Sequence, residues 1–162
     1  ETLAEAFEAR VVEKTYWAIV VGEPPKSGKG VIDAPIAKRP GPAGEKMAVD
    51  PENGLPAETR WRVLDRKPGF ALLALTPKTG RTHQLRVHCA AMGWPILGDG
   101  KYGGAAAFLK RPGVGDGLRL HAKRLALAHP LSGRPAEYAA EPPAAFLADL
   151  KALRLDPTAR RR

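Results

Sequence analysis

The sequence predicts an α+β fold, a mixed and mainly antiparallel sheet flanked by a few helices. Three observations carry this. TYWAIVV, residues 15–21, is short, β-branched and aromatic, and the turn-rich GEPPKSGKG closes it as a strand. ETRWRVLDRKPGFALLALTPKTG, residues 58–80, reads as a hairpin. In it Thr59, Trp61 and Val63 alternate with charged residues, Lys67-Pro68-Gly69 turns, and FALLAL returns. RTHQLRVHCAAMG, residues 81–93, places Leu85, Val87 and Ala90-Ala91 ahead of Gly93, a helix with a glycine stop.

The remaining elements follow in order. ETLAEAFEAR has Leu3, Ala6 and Phe7 at helical spacing among good helix formers. VIDAPI is a second short strand. Residues 37–57 mix Pro, Gly and charge of both signs, and read as a mobile excursion. WPILGDGKYGGAAAF, residues 94–108, is a glycine-rich loop. LRLHAKRLALAHP offers Leu118, Leu120 and Ala122, then Leu125 and Leu127, a strand pair or one bent strand. EPPAAFLADLKAL is a short terminal helix, and TARRR a disordered basic end. No internal repeat is visible. Residues 1–155 form one domain and 156–162 a basic tail.

The 162 residues suit a single domain, and 44% hydrophobic with 27% charged residues excludes a disordered chain. Lys+Arg number 26 against 17 Asp+Glu, a net charge of +9. Such a field attracts polyanions, nucleic acid first among them, although charge alone fits a merely basic protein equally well. Cys89 is the sole cysteine, so no internal disulfide forms and a reducing compartment fits. No apolar run approaches the ~20 residues that span a bilayer. The acidic, amphipathic start is unlike a signal peptide, and a cytoplasmic location is expected.

The chemistry concentrates in TPKTGRTHQLRVHC, residues 76–89. A metal site is disfavoured: His83 and His88 are five apart, on different helix faces, and no CxxC or HxxxH pair exists. Cys89 sits before Ala90-Ala91, the setting of a small buried hydrophobe rather than a nucleophile. GRTHQ lacks the repeated glycines of a phosphate loop, and those of GDGKYGG are out of register for one. Recognition of a polyanion remains. Thr79-Gly80-Arg81 leads into a helix whose first amides can meet an anion, with Arg81 adding charge. Arg86, five residues on, falls near the opposite side of that helix, so the two arginines serve different partners. Arg81 suits phosphate, and Arg86 can reach inward to a buried carboxylate as a bidentate pair. The alternative is that both arginines only decorate a solvated face.

TGRTHQLRVH followed by GWPILGDGKYGG resembles the third motif of the RluA-type RNA pseudouridine synthases. KTYWAIV is similar to the family's K-x-Y-x-A strand, ETRWRVLDRKPGFALLAL to the hairpin before the third motif, and LRLHAKRLALAHPLSG to its L-H-A-x-x-L-x-F-x-H-P segment. Only residues 37–57 and the basic tail fall outside the likeness. The resemblance implies a pseudouridine synthase fold and isomerisation of uridine to pseudouridine in ribosomal or transfer RNA. The target nucleotide is flipped out of its stack, and no cofactor is used. It implies that Tyr16 stacks on the flipped uracil, that Arg86 orients the catalytic aspartate, and that Leu125 packs against the base. Arg81, His83, Lys123 and Arg124 are the residues it assigns to RNA binding. Physical sense agrees. A guanidinium keeps a partner carboxylate ionised, and a flat ring with an aliphatic wall suits a base. A strand tyrosine and a core leucine are the structural alternatives.

The family's catalytic aspartate lies in H-R-L-D-x-x-T-S-G, ahead of the K-x-Y-x-A strand with a helix between. That motif is not in these 162 residues, which open inside the intervening helix. Leu64-Asp65-Arg66 only echoes it, since Asp65 follows the tyrosine strand and no Thr-Ser-Gly follows it. Asp99 is a family position with an expected structural role, capping its loop. The expectation is a partial catalytic domain, incomplete at its N-terminus and inactive alone. The competing readings are a non-catalytic RNA-binding module of the same fold and an unrelated basic domain with structural arginines.

Overall fold

The computed structural model describes residues 3–8 and 12–159. Helix α1 is Leu3–Glu8, and the expected continuation to residue 10 lies outside the described residues. Strand β1, Glu13–Val21, is the middle of the molecule, pairing antiparallel with β6, Phe70–Pro77, and with β7, Leu120–Ala128. The sheet is completed by β2, Lys29–Asp33, β5, Glu58–Lys67, and β8, Pro135–Ala139, in the order β2-β5-β6-β1-β7-β8. Every ladder among the described residues is antiparallel.

Alternation along β1 sends side chains to two cores. On the front face Ala18 and Val20 join Trp61, Val63, Leu73 and Leu75, covered by helix α2, Gln84–Ala91, through Leu85 and Cys89. Trp61 and Trp94 meet edge to face there, with centroids 5.5 Å apart. On the back face Ile19, Phe70 and Leu72 lie under Phe146, Leu150 and Leu153 of helix α4, Ala144–Leu153. Asp149 of α4 pairs with Arg119 and accepts the Gly115 N–H at 2.9 Å, tying the helix to the chain entering β7. No helix of the described residues is long and apolar enough to cross a membrane.

Three expectations are corrected, and one strand is added. VIDAPI is not one strand: β2 ends at Asp33, and Ala34-Pro35 leads into β3, Ile36–Arg39. Residues 37–57 are not a mobile excursion. β3 pairs with β4, Lys46–Val49, as a separate two-stranded sheet, and Ile36 and Ala57 are buried against Val87. Asp50 closes this unit. Its carboxylate accepts the N–H groups of Asn53 at 3.0 Å and Glu52 at 3.2 Å and pairs with Arg39. Those amide bonds, Asn53's above all, hold it below the usual carboxylate range. The glycine-rich stretch is also ordered, as helix α3, Gly100–Gly103, and a 3-10 turn over Gly104–Ala107. Pro135–Ala139 supplies a strand that the sequence pattern did not show.

LRLHAKRLALAHP resolves as the bent single strand β7. Thr15 faces Arg124 and Tyr16 faces Ala122, so Lys123 is one extra residue, a β-bulge. At the chain end, the Thr158 N–H and hydroxyl both reach the Asp156 carboxylate at 2.8 Å, and Arg160–Arg162 lie outside the described residues.

Candidate active site

A cavity of 280 Å³ opens on the front face, where β1, the turn after β6 and the first turn of α2 converge. Lys14 and Tyr16 reach it from β1, Arg81 and His83 from the turn, Arg86 from α2 and Leu120 from β7. Among the described residues that line it none is an aspartate or glutamate, and Lys14, Arg81 and Arg86 bring positive charge to it.

The turn is held by one glutamine. Gln84 is 4% exposed and uses both ends of its amide. Its NH₂ donates to the Glu58 carbonyl at 2.9 Å and to the Thr59 hydroxyl at 3.0 Å. Its oxygen accepts the Thr79 hydroxyl at 2.6 Å and the Arg81 N–H at 3.1 Å. The chain of bonds continues inward. Thr59 Oγ1 lies 2.8 Å from Nδ1 of the fully buried His88, whose Nε2 is 2.8 Å from the Ala34 carbonyl. A carbonyl only accepts, so Nε2 carries the proton and the Thr59 hydroxyl donates to Nδ1. A tautomer and an amide orientation thus lock the lip of the cavity to the sheet.

Burial holds the His88 imidazole below its ordinary range, and burial does the same to His83 with help from Arg86 and Lys101. The unfolded chain therefore takes up protons below about pH 6.5 that the native chain refuses. Unfolding free energy is expected to fall as pH drops from 6.5 towards 5, above the range where carboxylates contribute. His88→Gln should flatten that slope in thermal melts. A flat wild-type profile would refute the neutral buried imidazole.

Arg86 is the most constrained cation. Its Nε donates to Asp99 Oδ2 at 3.0 Å and its Nη2 to Asp99 Oδ1 at 2.8 Å, a bidentate pair whose carboxylate is fully buried. Asp99 also caps α3 by accepting the Tyr102 N–H at 3.3 Å. The expected capping role holds, but Asp99 is in addition the buried carboxylate that Arg86 reaches. A guanidinium has five N–H donors, and this pair leaves the Nη1 edge unused. The Arg86 guanidinium lies 5.0 Å from the centroid of the Tyr102 ring, whose hydroxyl is 2.7 Å from His83 Nδ1. That contact holds His83 at φ 53°, a left-handed conformation uncommon outside glycine.

The expected site residues divide in two. Tyr16, Arg81, His83 and Arg86 come together in the cavity. The idea that the two arginines face apart is corrected: α2 begins only at Gln84, so Arg81 precedes the helix and reaches the same cavity as Arg86. Nor is the Arg81 amide free for an anion, being spent on Gln84, while its Nε donates to the Pro56 carbonyl at 2.8 Å. Leu125 pairs across the strands with Lys14, on Tyr16's face but beyond the cavity lining, where Leu120 stands instead. Lys123 and Arg124 turn to the back face. Lys123 Nζ sits 4.9 Å from the centroid of the Trp17 ring, and Arg124 is held bidentate by Glu137 and also by Glu13. The bulge is the reason, and strict alternation could not have shown it. Gln84, His88 and Tyr102 were missed, because buried polar partners leave no periodic trace. Asp65 lies away from the cavity, accepting the N–H groups of Arg66 and Asp156 at 2.8 Å. The Cys89 thiol is fully buried, and burial pushes its pKa up.

The family model described as RNA pseudouridylate synthase matches residues 1–91. The chain belongs to that family. An uncharacterized RNA pseudouridine synthase of Chloroflexus aurantiacus is 43% identical over 143 residues, covering 88% of this chain and 43% of that protein. The ribosomal large subunit pseudouridine synthase D of Haemophilus ducreyi is 38% identical, covering 95% of this chain and 49% of its own length. The chain thus spans about half the length of the curated relatives it matches. Among solved structures, human RNA pseudouridylate synthase domain containing 4 superposes with a TM-score of 0.72 at 30% identity, over 94% of this chain and 66% of that one. The chain thus has the pseudouridylate synthase fold, α+β with a mainly antiparallel six-stranded sheet.

Proposed function

We propose that this chain belongs to the catalytic domain of an RNA pseudouridine synthase, which isomerises uridine to pseudouridine in structured RNA by flipping the target nucleotide into the Tyr16–Arg86 cavity. One observation carries the reading: an aromatic ring, aliphatic walls and three cations share a cavity whose described lining has no carboxylate. At 280 Å³ it sits at the lower end of small-ligand sites, the scale of one nucleotide and too small for a duplex. In this reading Tyr16 stacks on the uracil, with Leu120 and Leu85 as walls and Leu125 further along the same face. Arg81, with Lys14 and His83, meets the flanking phosphates. The unused edge of Arg86 takes the carboxylate that begins the reaction, after Asp99 has oriented the guanidinium from behind.

Relatives named for the large ribosomal subunit support ribosomal RNA as substrate class, with transfer RNA the other candidate. The reading places the protein in the cytoplasm, takes residues 1–155 as the catalytic unit and 156–162 as a basic tail, and invokes no cofactor. Asp99 cannot replace the attacking carboxylate, because it is buried behind Arg86. The 162 residues are therefore expected to bind uridine-bearing RNA without turnover. A tritium-release assay on RNA labelled at uridine C5 should stay at background, while Tyr16→Ala weakens stem-loop binding about tenfold, the worth of one stacked base. Release by this chain alone, or unchanged binding by Tyr16→Ala, would overturn the proposal. The lining without a carboxylate also suits a non-catalytic RNA-binding module. An H-R-L-D motif encoded just upstream of Glu1 decides for the enzyme.

A further inference from the structure

The back of the sheet carries a second, larger concavity, of 950 Å³, that the proposed reaction does not use. Helix α4 leaves much of this face uncovered. Across the open area a row of cross-strand partners runs Lys29, Arg62, Ala74, Trp17, His121. Four strand spacings make that row roughly 19 Å long. Its floor is small or flat: Ala74 and Thr76 from β6, Thr15 and Trp17 from β1.

The two walls differ in charge balance. On the β7 side Arg124 is neutralised by Glu13 and Glu137, and Lys123 lies 3.4 Å from Glu141. On the β2–β5 side the cations are exposed, and among the described residues Lys29 and Arg62 have no ion-pair partner. Lys29 and Arg62 stand directly opposite each other, and Arg60 follows on the same face. Among the described residues only Glu58 approaches them, 3.6 Å from Arg60. Like charges directly opposite in a sheet are destabilising. A fold that accepts such a pair beside an open shelf has the electrostatics of an anion site. Lys29 and Arg62 also line a neighbouring concavity of 560 Å³ with Thr158 and Ala159, after which the sequence continues into Arg160, Arg161 and Arg162.

We propose that Lys29, Arg60 and Arg62 bind the phosphodiester backbone of RNA on the face of the sheet opposite the Tyr16 cavity. Several cations spread along a shelf roughly 19 Å long fit a repeating phosphate chain. The two faces then hold different segments of one large folded RNA. The choice of RNA over another polyanion rests on the function proposed above, whereas the anion site itself does not.

The test is fluorescence anisotropy with the 162-residue chain and two RNAs, a short uridine stem-loop and a long ribosomal RNA fragment. Lys29→Glu/Arg62→Glu is expected to weaken the long RNA at least about tenfold and to lower its log–log salt slope by about 2, with stem-loop affinity unchanged within about twofold. Lys29→Gln/Arg62→Gln should show a smaller loss of the same kind, and its melting temperature should match or exceed the wild type as the repulsion is relieved. Wild-type affinity and slope for the long RNA in the Glu variant would overturn the proposal. So would polyglutamate of matched charge binding the wild type as tightly as the long RNA does, which would mark a site for an acidic protein. Failure of the front-face reading appears separately, as Tyr16→Ala leaving the stem-loop untouched.

Discussion

Arg86→Ala is expected to destabilise the fold by about 3 kcal/mol, because it strands a fully buried carboxylate. Asp99 would keep only the Tyr102 N–H, at 3.3 Å, and the Tyr102 ring would lose the guanidinium 5.0 Å away. Its options are then to stay charged without a counterion or to take up a proton, and both oppose folding. Urea unfolding measures this directly. Arg86→Met/Asp99→Asn should recover much of the loss, since no charge is left buried, an acceptor still faces the Tyr102 amide, and the volume is kept. A single-variant cost below about 1 kcal/mol would mean that water reaches the pair, and Arg86 would then be a surface arginine.

Gly98→Ala is expected to cost a similar amount, about 3 kcal/mol, by a different route. Gly98 has φ of 83°, which an alanine adopts only under strain, and its missing Cβ is the space filled by the Gly117 carbonyl. Neither that carbonyl nor the adjoining Leu118 nitrogen can yield easily, because both are backbone. Gly98 N–H donates to the Ala107 carbonyl at 2.7 Å, and the next residue's amide bonds the Ile96 carbonyl at 3.0 Å. The glycine therefore sets where Asp99 stands, and through Asp99 the attitude of Arg86. Gly98→Ala should lower the melting temperature sharply and weaken RNA binding in whatever protein remains folded. An unchanged melting temperature would show that the Gly117 segment moves aside freely.

Much of this arrangement was legible in the residues. β1 announced itself through TYWAIVV, and the β5–β6 hairpin through its Lys-Pro-Gly turn between alternating and continuous apolar runs. The need of Arg86 for a buried carboxylate was legible too, though not that Asp99 would meet it, since a pairing across 13 residues and a loop has no local pattern. The β3–β4 hairpin was hidden by composition. Its ends are secured by Asp50, whose turn chemistry is local, and by Ile36 packing on Val87 of a distant helix. The Gln84–Thr59–His88 chain was equally invisible: each residue alone reads as an ordinary polar side chain, and only the tertiary fold brings them into line.

The extra residue at Lys123 has one more consequence, for counting rather than for contact. β7 reads in two frames: Leu120 and Ala122 share Tyr16's side in the first, and Leu125 shares it in the second, opposite Lys14. Deleting Lys123 would merge the frames. Leu125 would keep Tyr16's side and Arg124 Trp17's, because the residue removed is the bulged one; it is regular pairing of Lys123 with Thr15 that would exchange the two. At this point of the chain, pairing is chemical information. Whether Lys123 bulges or joins the ladder decides whether Leu125 or Arg124 shares the tyrosine's side.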